Sequence, residues 1–286
     1  MSKAIKIHAQ GGPEVLAYED NDPGRPGPGQ VLVRHTAIGL NFLDTYYRSG
    51  LYPAPNGLPL IPGSEAAGQV VEAGEGVNGL KSGDRIAYTT QLGAYAEERV
   101  VPADRLVKVP DGVTDDQAAA MMLKGMTAHY LLHRTYKVKA GDTILCHAAA
   151  GGVGLILGQW AKHLGATTIG TAGSPDKVEL ARAHGFDHVI NYREQDFVAE
   201  VKRVTDGKLC DVVYDSIGKD TFPGSLDCIR PLGMFACFGQ SSGPIPPVDL
   251  SILAKKGALF ATRPTLFVYI AKREDLEASA AALFDV

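Results

Sequence analysis

The chain has 286 residues, of which 45% are hydrophobic and 21% charged, and a net charge of −4. That is a globular composition with room for one large or two ordinary domains, and it gives no electrostatic reason to expect nucleic acid or an anionic membrane as partner. The N-terminal residues Met1-Ser2-Lys3-Ala4-Ile5-Lys6-Ile7 lack the apolar core of a signal peptide, and no apolar run is long enough to span a bilayer. Up to about residue 110 the pattern is strand and turn. Ile5–Ile7, Val31–Arg34, Gly68–Glu72 and Arg85–Tyr88 read as short strands, and Pro23–Gly29 as a stiff turn-rich loop. Regular glycine breaks between Gly63 and Arg85 suggest a bent, barrel-like antiparallel sheet. From about residue 115 the rhythm changes. A helix begins at Asp115 and runs through Met122, and a second is expected from Ala128 to Tyr136. Strands at 143–147, 167–171, 188–191, 211–215 and 234–238 then alternate with helices at 153–164, 175–184, 194–205 and 219–229. Gly257–Thr262 is a candidate sixth strand, and a last helix starts near Arg273. Such alternation predicts a parallel, doubly wound α/β sheet.

The most informative stretch is Ile144-Leu145-Cys146-His147-Ala148-Ala149-Ala150-Gly151-Gly152-Val153-Gly154. An apolar strand enters a small-residue turn, which opens a helix. A helix start carries unpaired N–H groups and partial positive charge, and small residues let a pyrophosphate approach them. In the frame Ala149-x-Gly151-x-x-Gly154 the first glycine of the dinucleotide fingerprint is replaced by alanine. About twenty residues on, an NAD site places an acid for the ribose 2′-hydroxyl. This chain has Ala172-Gly173-Ser174-Pro175 there, then Lys177. An open turn with a cation suits a 2′-phosphate, so the expected cofactor is NADPH rather than NADH.

These motifs resemble a known family. Gly63-x-Glu65-x-x-Gly68-x-Val70-x-x-x-Gly74-x-x-Val77 followed by Gly83-Asp84-Arg85 is similar to the first domain of the medium-chain dehydrogenase/reductase superfamily. The fingerprint, Ile190-Asn191-Tyr192, Val213–Gly218 and Phe238–Gly243 resemble its zinc-less quinone oxidoreductase (zeta-crystallin-like) branch. The resemblance covers essentially the whole chain. It implies a GroES-like β-barrel catalytic domain at 1–124, a Rossmann NADPH-binding domain at 125–260, and at 261–286 the start of a return segment. Family members usually continue for several tens of residues, so a chain ending at Val286 reads as truncated. The implied activity is NADPH:quinone reduction by a cytoplasmic homodimer, with Leu259–Ile270 as a candidate sheet edge across the two-fold axis.

The resemblance also assigns residues. Gly152 and Val153 face the pyrophosphate, while Gly173, Ser174, Lys177 and Tyr192 surround the 2′-phosphate. Ser216, Phe238, Gly239 and Ser241 lie toward the nicotinamide, with Thr127 able to approach it. Asn41, Tyr46 and Tyr52 border the nicotinamide and acceptor, and Arg263 is a weaker candidate for orienting the acceptor. Zinc is not expected. Asn41 and Asp44 stand in the segment where the first catalytic ligand of the zinc enzymes is sought, Ser64 stands where a histidine would, and no cysteine precedes Cys146. His129 with His133, one helical turn apart, is the remaining metal candidate, outweighed by two ordinary histidines on a helix face. Glu65 then reads as a structural carboxylate anchoring the barrel. The four cysteines, Cys146, Cys210, Cys228 and Cys237, read as reduced, mostly buried thiols. Without a Lewis acid, a quinone or conjugated enone is a more suitable hydride acceptor than a plain ketone.

Other classes fit worse. None of the 11 tyrosines has a lysine four positions later, as a short-chain reductase requires. Gly239-Gln240-Ser241-Ser242-Gly243 spells a hydrolase elbow, but Pro244, Pro246 and Pro247 forbid the helix that must follow it. The alternatives that remain are an enone or alkenal double-bond reductase and a non-catalytic NADPH-binding protein.

Overall fold

The computed structural model describes residues 2–90 and 92–286. The chain forms two compact units, one of residues up to Met126 together with Phe267–Asp285, the other of Thr127–Leu266.

In the first unit β1 (Ser2–Ile7) pairs antiparallel with β2 (Leu16–Asn21). A five-stranded antiparallel sheet is built from β3 (Gln30–Gly39), β4 (Glu65–Ala73), β5 (Arg85–Thr89), β6 (Glu98–Pro102) and β7 (Val107–Lys108), in the order β6-β3-β4-β5-β7. Its pairing slips at Leu32/Val33 and at His35/Ala37, bulges that bend β3. Val31, Val33, Val70, Ile86, Tyr88, Val101 and Leu106 form its core. Helix α1 (Phe42–Ser49) follows β3 and ends on Gly50 at φ 81°. Helix α2 (Asp115–Tyr130) is opened by a reciprocal cap, Gln117 N–H donating to Thr114 Oγ1 and Thr114 N–H to Gln117 Oε1.

The two helices expected at 115–122 and 128–136 are one. Gly125, between them, is buried where a Cβ would strike Leu283. The helix loses its regular form only beyond Tyr130, in a single π-helical turn at Leu131–Thr135.

The second unit holds β8 (Thr143–Cys146), α3 (Gly152–His163), β9 (Thr167–Ala172), α4 (Pro175–Ala183), β10 (His188–Asn191), α5 (Phe197–Val204), β11 (Cys210–Asp215), α6 (Gly224–Asp227), β12 (Ile229–Cys237), α7 (Ser251–Lys255) and β13 (Phe260–Thr262). All its strands are parallel, in the order β10-β9-β8-β11-β12-β13. Strand order therefore reverses between β8 and β11, the switch point at which open α/β sheets bind ligands beyond their carboxyl ends. Leu145, Ile169, Ile190, Val213 and Phe235 pack the core beneath it.

Two expectations are corrected here. The helix expected at 219–229 shrinks to α6, because residues 217–221 are drawn into a loop by the Asp215 carboxylate. The edge expected at Leu259–Ile270 is a strand only over β13, and α8 (Leu266–Tyr269) follows. Helix α9 (Arg273–Asp285) belongs to the first unit, where Arg273 donates to the carbonyls of Asp104 and Leu106, and Arg105 to those of Ile270 and Ala271.

One half-buried histidine makes the first unit acid-sensitive. The Nδ1–H of His35 donates to the Ala96 carbonyl at 2.5 Å, so its Nε2 must accept from the Tyr88 hydroxyl at 2.8 Å. Burial pushes its pKa down from 6.5 to about 4. The unfolded chain therefore binds this proton more readily between those values, and stability falls as pH drops from 6.5 toward 4. The contribution is about 3 kcal/mol at most. Urea unfolding of His35→Gln is expected to show a flatter pH dependence across that window; an unchanged slope would exclude His35 as its source.

Candidate functional site

The site of the second unit begins where β8 leaves the sheet. Ala149 N–H donates to the Thr171 carbonyl at 2.9 Å and Gly151 N–H to the Ala148 carbonyl at 2.8 Å. The residue forced into the left-handed region is Ala148, at φ 54°, and not Ala149. That explains why alanine is tolerated at the first fingerprint position. Helix α3 starts at Gly152 from a cap at Gly151 whose side chain offers no acceptor, so its first amides remain available to an anion. A Cβ on Gly154 would sit 2.6 Å from the Ala148 carbonyl, so glycine is needed for the helix to pack this close to the turn. Gly152 and Val153 occupy the first two helical positions.

The turn after β9 is built for a second anion. Ser174 caps α4 and accepts from the Lys177 backbone N–H at 3.5 Å, with Pro175 in the first turn. Gly173 lies beneath the Tyr192 hydroxyl, in space a Cβ would take. Tyr192 is 52% exposed, and its backbone N–H donates to the Ala172 carbonyl. Lys177 is exposed, and its ammonium has no ion pair among the described residues. The structure thus brings Gly173, Ser174, Lys177 and Tyr192 together around one turn whose strand-end residues 172–174 carry no carboxylate, while the exposed Asp176 stands in the first turn of α4.

Below the switch point lies a buried polar chain that sequence reasoning missed. Asp215, at the end of β11, is fully buried and accepts four hydrogen bonds, from Ile217 N–H (2.8 Å), Gly218 N–H (3.0 Å), Thr221 Oγ1 (2.7 Å) and Ser225 Oγ (2.9 Å). Having given its proton to this carboxylate, Ser225 Oγ accepts from His147 Nε2 at 3.0 Å. His147 Nδ1 is then an acceptor, and Thr171 Oγ1 donates to it at 3.0 Å. Burial lowers the His147 pKa and outweighs the attraction of Asp215, in keeping with a neutral ring.

The loop held by Asp215 carries Ser216. Phe238 N–H donates to the Asp215 carbonyl at 2.8 Å and Ser241 N–H to the Ser216 carbonyl at 3.1 Å, so Ser216, Phe238, Gly239 and Ser241 form one paired platform. Arg263 is exposed, and its Nη1 donates to the Cys237 carbonyl at 3.0 Å, tying the end of β13 to β12. Thr127 is buried in α2. His129 and His133 have ring centroids 5.0 Å apart and both lie against Trp160, the chain's single tryptophan. Among the described residues no three metal-binding side chains cluster.

In the first unit Asn41, Tyr46 and Tyr52 converge around α1. Tyr46 is buried, Tyr52 half-buried, and their rings are 5.1 Å apart, with Phe42 edge-on to Tyr46 at 5.6 Å. Asn41 caps α1, its N–H donating to Asp44 Oδ2 at 2.9 Å and its Nδ2 to Glu65 Oε1 at 2.8 Å. Asp44 also accepts from Ser64 Oγ (3.0 Å) and Tyr95 Oη (2.9 Å), and burial raises its pKa. Glu65 is fully buried and is paired with the Lys124 ammonium.

Two family descriptions match the chain, zinc-binding dehydrogenase over residues 152–283 and alcohol dehydrogenase GroES-like domain over residues 27–111. The quinone oxidoreductase of Pseudomonas aeruginosa is 55% identical over 285 residues, 99% of this chain and 87% of that protein. The 2-haloacrylate reductase of a Burkholderia species is 50% identical over 291 residues, 100% of this chain and 87% of that protein. The crystal structure of Escherichia coli quinone oxidoreductase complexed with NADPH superposes with a TM-score of 0.97 at 48% identity, covering 99% of this chain and 87% of that one. The donors around residues 41–65 do not fit zinc. They offer an amide, a hydroxyl and two carboxylates, Glu65 neutralised by an ammonium and Asp44 occupied by donors from Asn41, Ser64 and Tyr95, where zinc takes thiolate, imidazole and free carboxylate.

Proposed function

The chain belongs to the medium-chain dehydrogenase/reductase superfamily and within it to the zinc-less quinone oxidoreductase branch, and from that premise we propose that it transfers hydride from NADPH to quinones. The observation that carries this reading is the turn at the end of β9, where residues 172–174 offer no acid to a ribose 2′-hydroxyl and Lys177 follows, beside the glycine turn of α3, in a chain half identical to named quinone oxidoreductases. The cradle fits the cofactor. The free amides at the start of α3 hold the pyrophosphate, and Ser174, Lys177 and Tyr192 hold the 2′-phosphate. Bound there, NADPH supplies hydride from C4 of its nicotinamide.

The remaining work falls to the chain's own side chains. Ser216, Phe238, Gly239 and Ser241 support the nicotinamide side, with Thr127 behind them. Asn41, Tyr46 and Tyr52 border the acceptor; the tyrosine rings offer flat apolar surface, and their hydroxyls can donate to an acceptor oxygen as negative charge develops. Arg263 secures the end of β13 through the Cys237 carbonyl and, exposed there, is placed to orient the acceptor. The cysteines take no part. All four are buried free thiols, and burial pushes Cys146 and Cys228 up to about 12. Free thiols support a cytoplasmic location, and among the described residues no helix is long and apolar enough to cross a membrane. The parallel sheet ends at β13, where Phe260 is 59% exposed, and this open edge supports a homodimer formed across it.

A quinone such as 1,4-benzoquinone is expected to accelerate NADPH oxidation well above background, with NADH at least about tenfold less efficient, as the loss of one charge-assisted contact of ~1.5 kcal/mol implies. The Burkholderia relative favours a second reading, reduction of activated carbon–carbon double bonds. A panel with 2-chloroacrylate and alkenals separates the two by kcat/KM. Tight NADPH binding with no acceptor above background would instead leave a binding protein.

A further inference from the structure

The Glu65 carboxylate is enclosed by three donors from two elements. Asn41 Nδ2 reaches Oε1 at 2.8 Å, the Lys124 ammonium meets the same oxygen, and Leu123 N–H, inside α2, reaches Oε2 at 2.6 Å. Glu65 is fully buried, whereas the Lys124 side chain is 18% exposed. An ionised carboxylate can only accept, so the group Asn41 turns toward it must be the amide NH2. The carbonyl end of that amide is left for the start of α1 and for any donor a ligand brings. A buried carboxylate is costly unless paired, and the Lys124 ammonium supplies the pairing.

We propose that Lys124 and Glu65 are positioning residues that fix the polarity of the Asn41 amide, keeping its carbonyl as the acceptor offered to the nicotinamide half of the cofactor. The inference rests on the reading that Asn41 borders that half. It adds a cause: the ammonium stands on the carboxylate and holds the amide one way round. Neither residue touches the reacting atoms. Glu65 acts through Asn41, and Lys124 acts through Glu65.

Replacing glutamate by glutamine should reverse the polarity. The Leu123 N–H is a half-buried donor, and only the glutamine carbonyl can accept from it there. The glutamine NH2 then faces Asn41, which must turn its own carbonyl inward and present NH2 instead. Adding Lys124→Met removes the ammonium that would be left beside a second donor. The double variant Glu65→Gln/Lys124→Met therefore leaves no buried charge unpaired, so it should fold even where Lys124→Met alone does not.

The experiment compares wild type, Lys124→Met, Lys124→Arg and the double variant in steady-state quinone reduction. In parallel the affinities for NADPH and for 2′,5′-ADP, which lacks the nicotinamide, are titrated by fluorescence. The expected result is a kcat at least about tenfold lower in the double variant and in Lys124→Met, where a buried carboxylate without its ammonium takes up a proton and then donates to Asn41, with the quinone KM and the 2′,5′-ADP affinity within about twofold of wild type. NADPH should lose affinity relative to 2′,5′-ADP, and Lys124→Arg should recover most of the kcat. An unchanged kcat and NADPH to 2′,5′-ADP ratio in a folded double variant would overturn the proposal, as would equal losses of both affinities. If wild type itself neither binds 2′,5′-ADP nor reduces quinone with NADPH, the functional reading falls and takes this inference with it. If wild type does both and the variants match it, only the inference falls.

Discussion

Replacing Ser174 by aspartate is expected to raise the KM for NADPH by about 100-fold and to improve NADH as substrate. The substitution is chosen because it separates charge from fold. Aspartate caps a helix as well as serine, so α4 should keep its start and Lys177 its place on the first turn. What changes is a carboxylate set beside the position of a 2′-phosphate. Repulsion between like charges about 4 Å apart costs between ~1 kcal/mol in water and ~4 kcal/mol near a protein surface. Losing the serine hydroxyl as a donor adds ~1 kcal/mol, and the sum near 2.7 kcal/mol corresponds to two decades. The same carboxylate can accept from the 2′-hydroxyl of NADH, as acids do in NAD-dependent sites. Steady-state kinetics with both cofactors checks this. A KM ratio that stayed at its wild-type value would show that this turn does not hold the 2′-phosphate.

How far the sequence announced this site depends on how local each part is. The β8–α3 turn was legible because its signals lie within eleven residues: an apolar strand, small residues and a helix start. The lack of an acid at residues 172–174 was legible because the distance from fingerprint to second strand is fixed by one βαβ unit. Asn41, Tyr46 and Tyr52 were marked only by family resemblance; composition and spacing gave no reason to prefer them. The ion pair of Glu65 and Lys124 joins residues 59 positions apart, and no periodicity carries such a signal. The chain from Thr171 through His147 and Ser225 to Asp215 gathers residues from β9, the turn after β8, α6 and β11, and it exists only once the parallel sheet is formed. Its invisibility also explains the misplaced helix at 219–229. The helical pattern there was real, but one buried carboxylate competes for the amides and hydroxyls between Ile217 and Ser225, and tertiary structure prevails over local preference.

That carboxylate sets up the second large effect. Asp215→Ala is expected to destabilise the protein by about 3–5 kcal/mol, since buried donors left without an acceptor cost ~1–3 kcal/mol each and only some of these four can find another. Four donors lose their acceptor at once, two of them the backbone amides of Ile217 and Gly218, which no side chain can replace in a buried loop. The loss also travels upward. Ser225 would redirect its proton to the Thr221 carbonyl, to which it already lies at 3.2 Å, while the loop bearing Ser216 loses the anchor that sets its height against the platform at Ser241. Asp215→Asn is the informative control. Its carbonyl can still serve Ile217 and Gly218, and its NH2 can be accepted by the hydroxyls of Thr221 and Ser225 after they rotate, so the cost should fall to about 1–2 kcal/mol. At ~2–4 °C per kcal/mol the alanine variant should melt roughly 6–20 °C lower and the asparagine variant a few degrees lower. Because the crevice loop is what moves, both variants should lose NADPH affinity before they lose helical content on warming, with alanine losing more. If the two substitutions melted together, the carboxylate would be a passive filler of the core, and the loop's position would have to be fixed by the pairing of residues 216–218 with 238–243 alone.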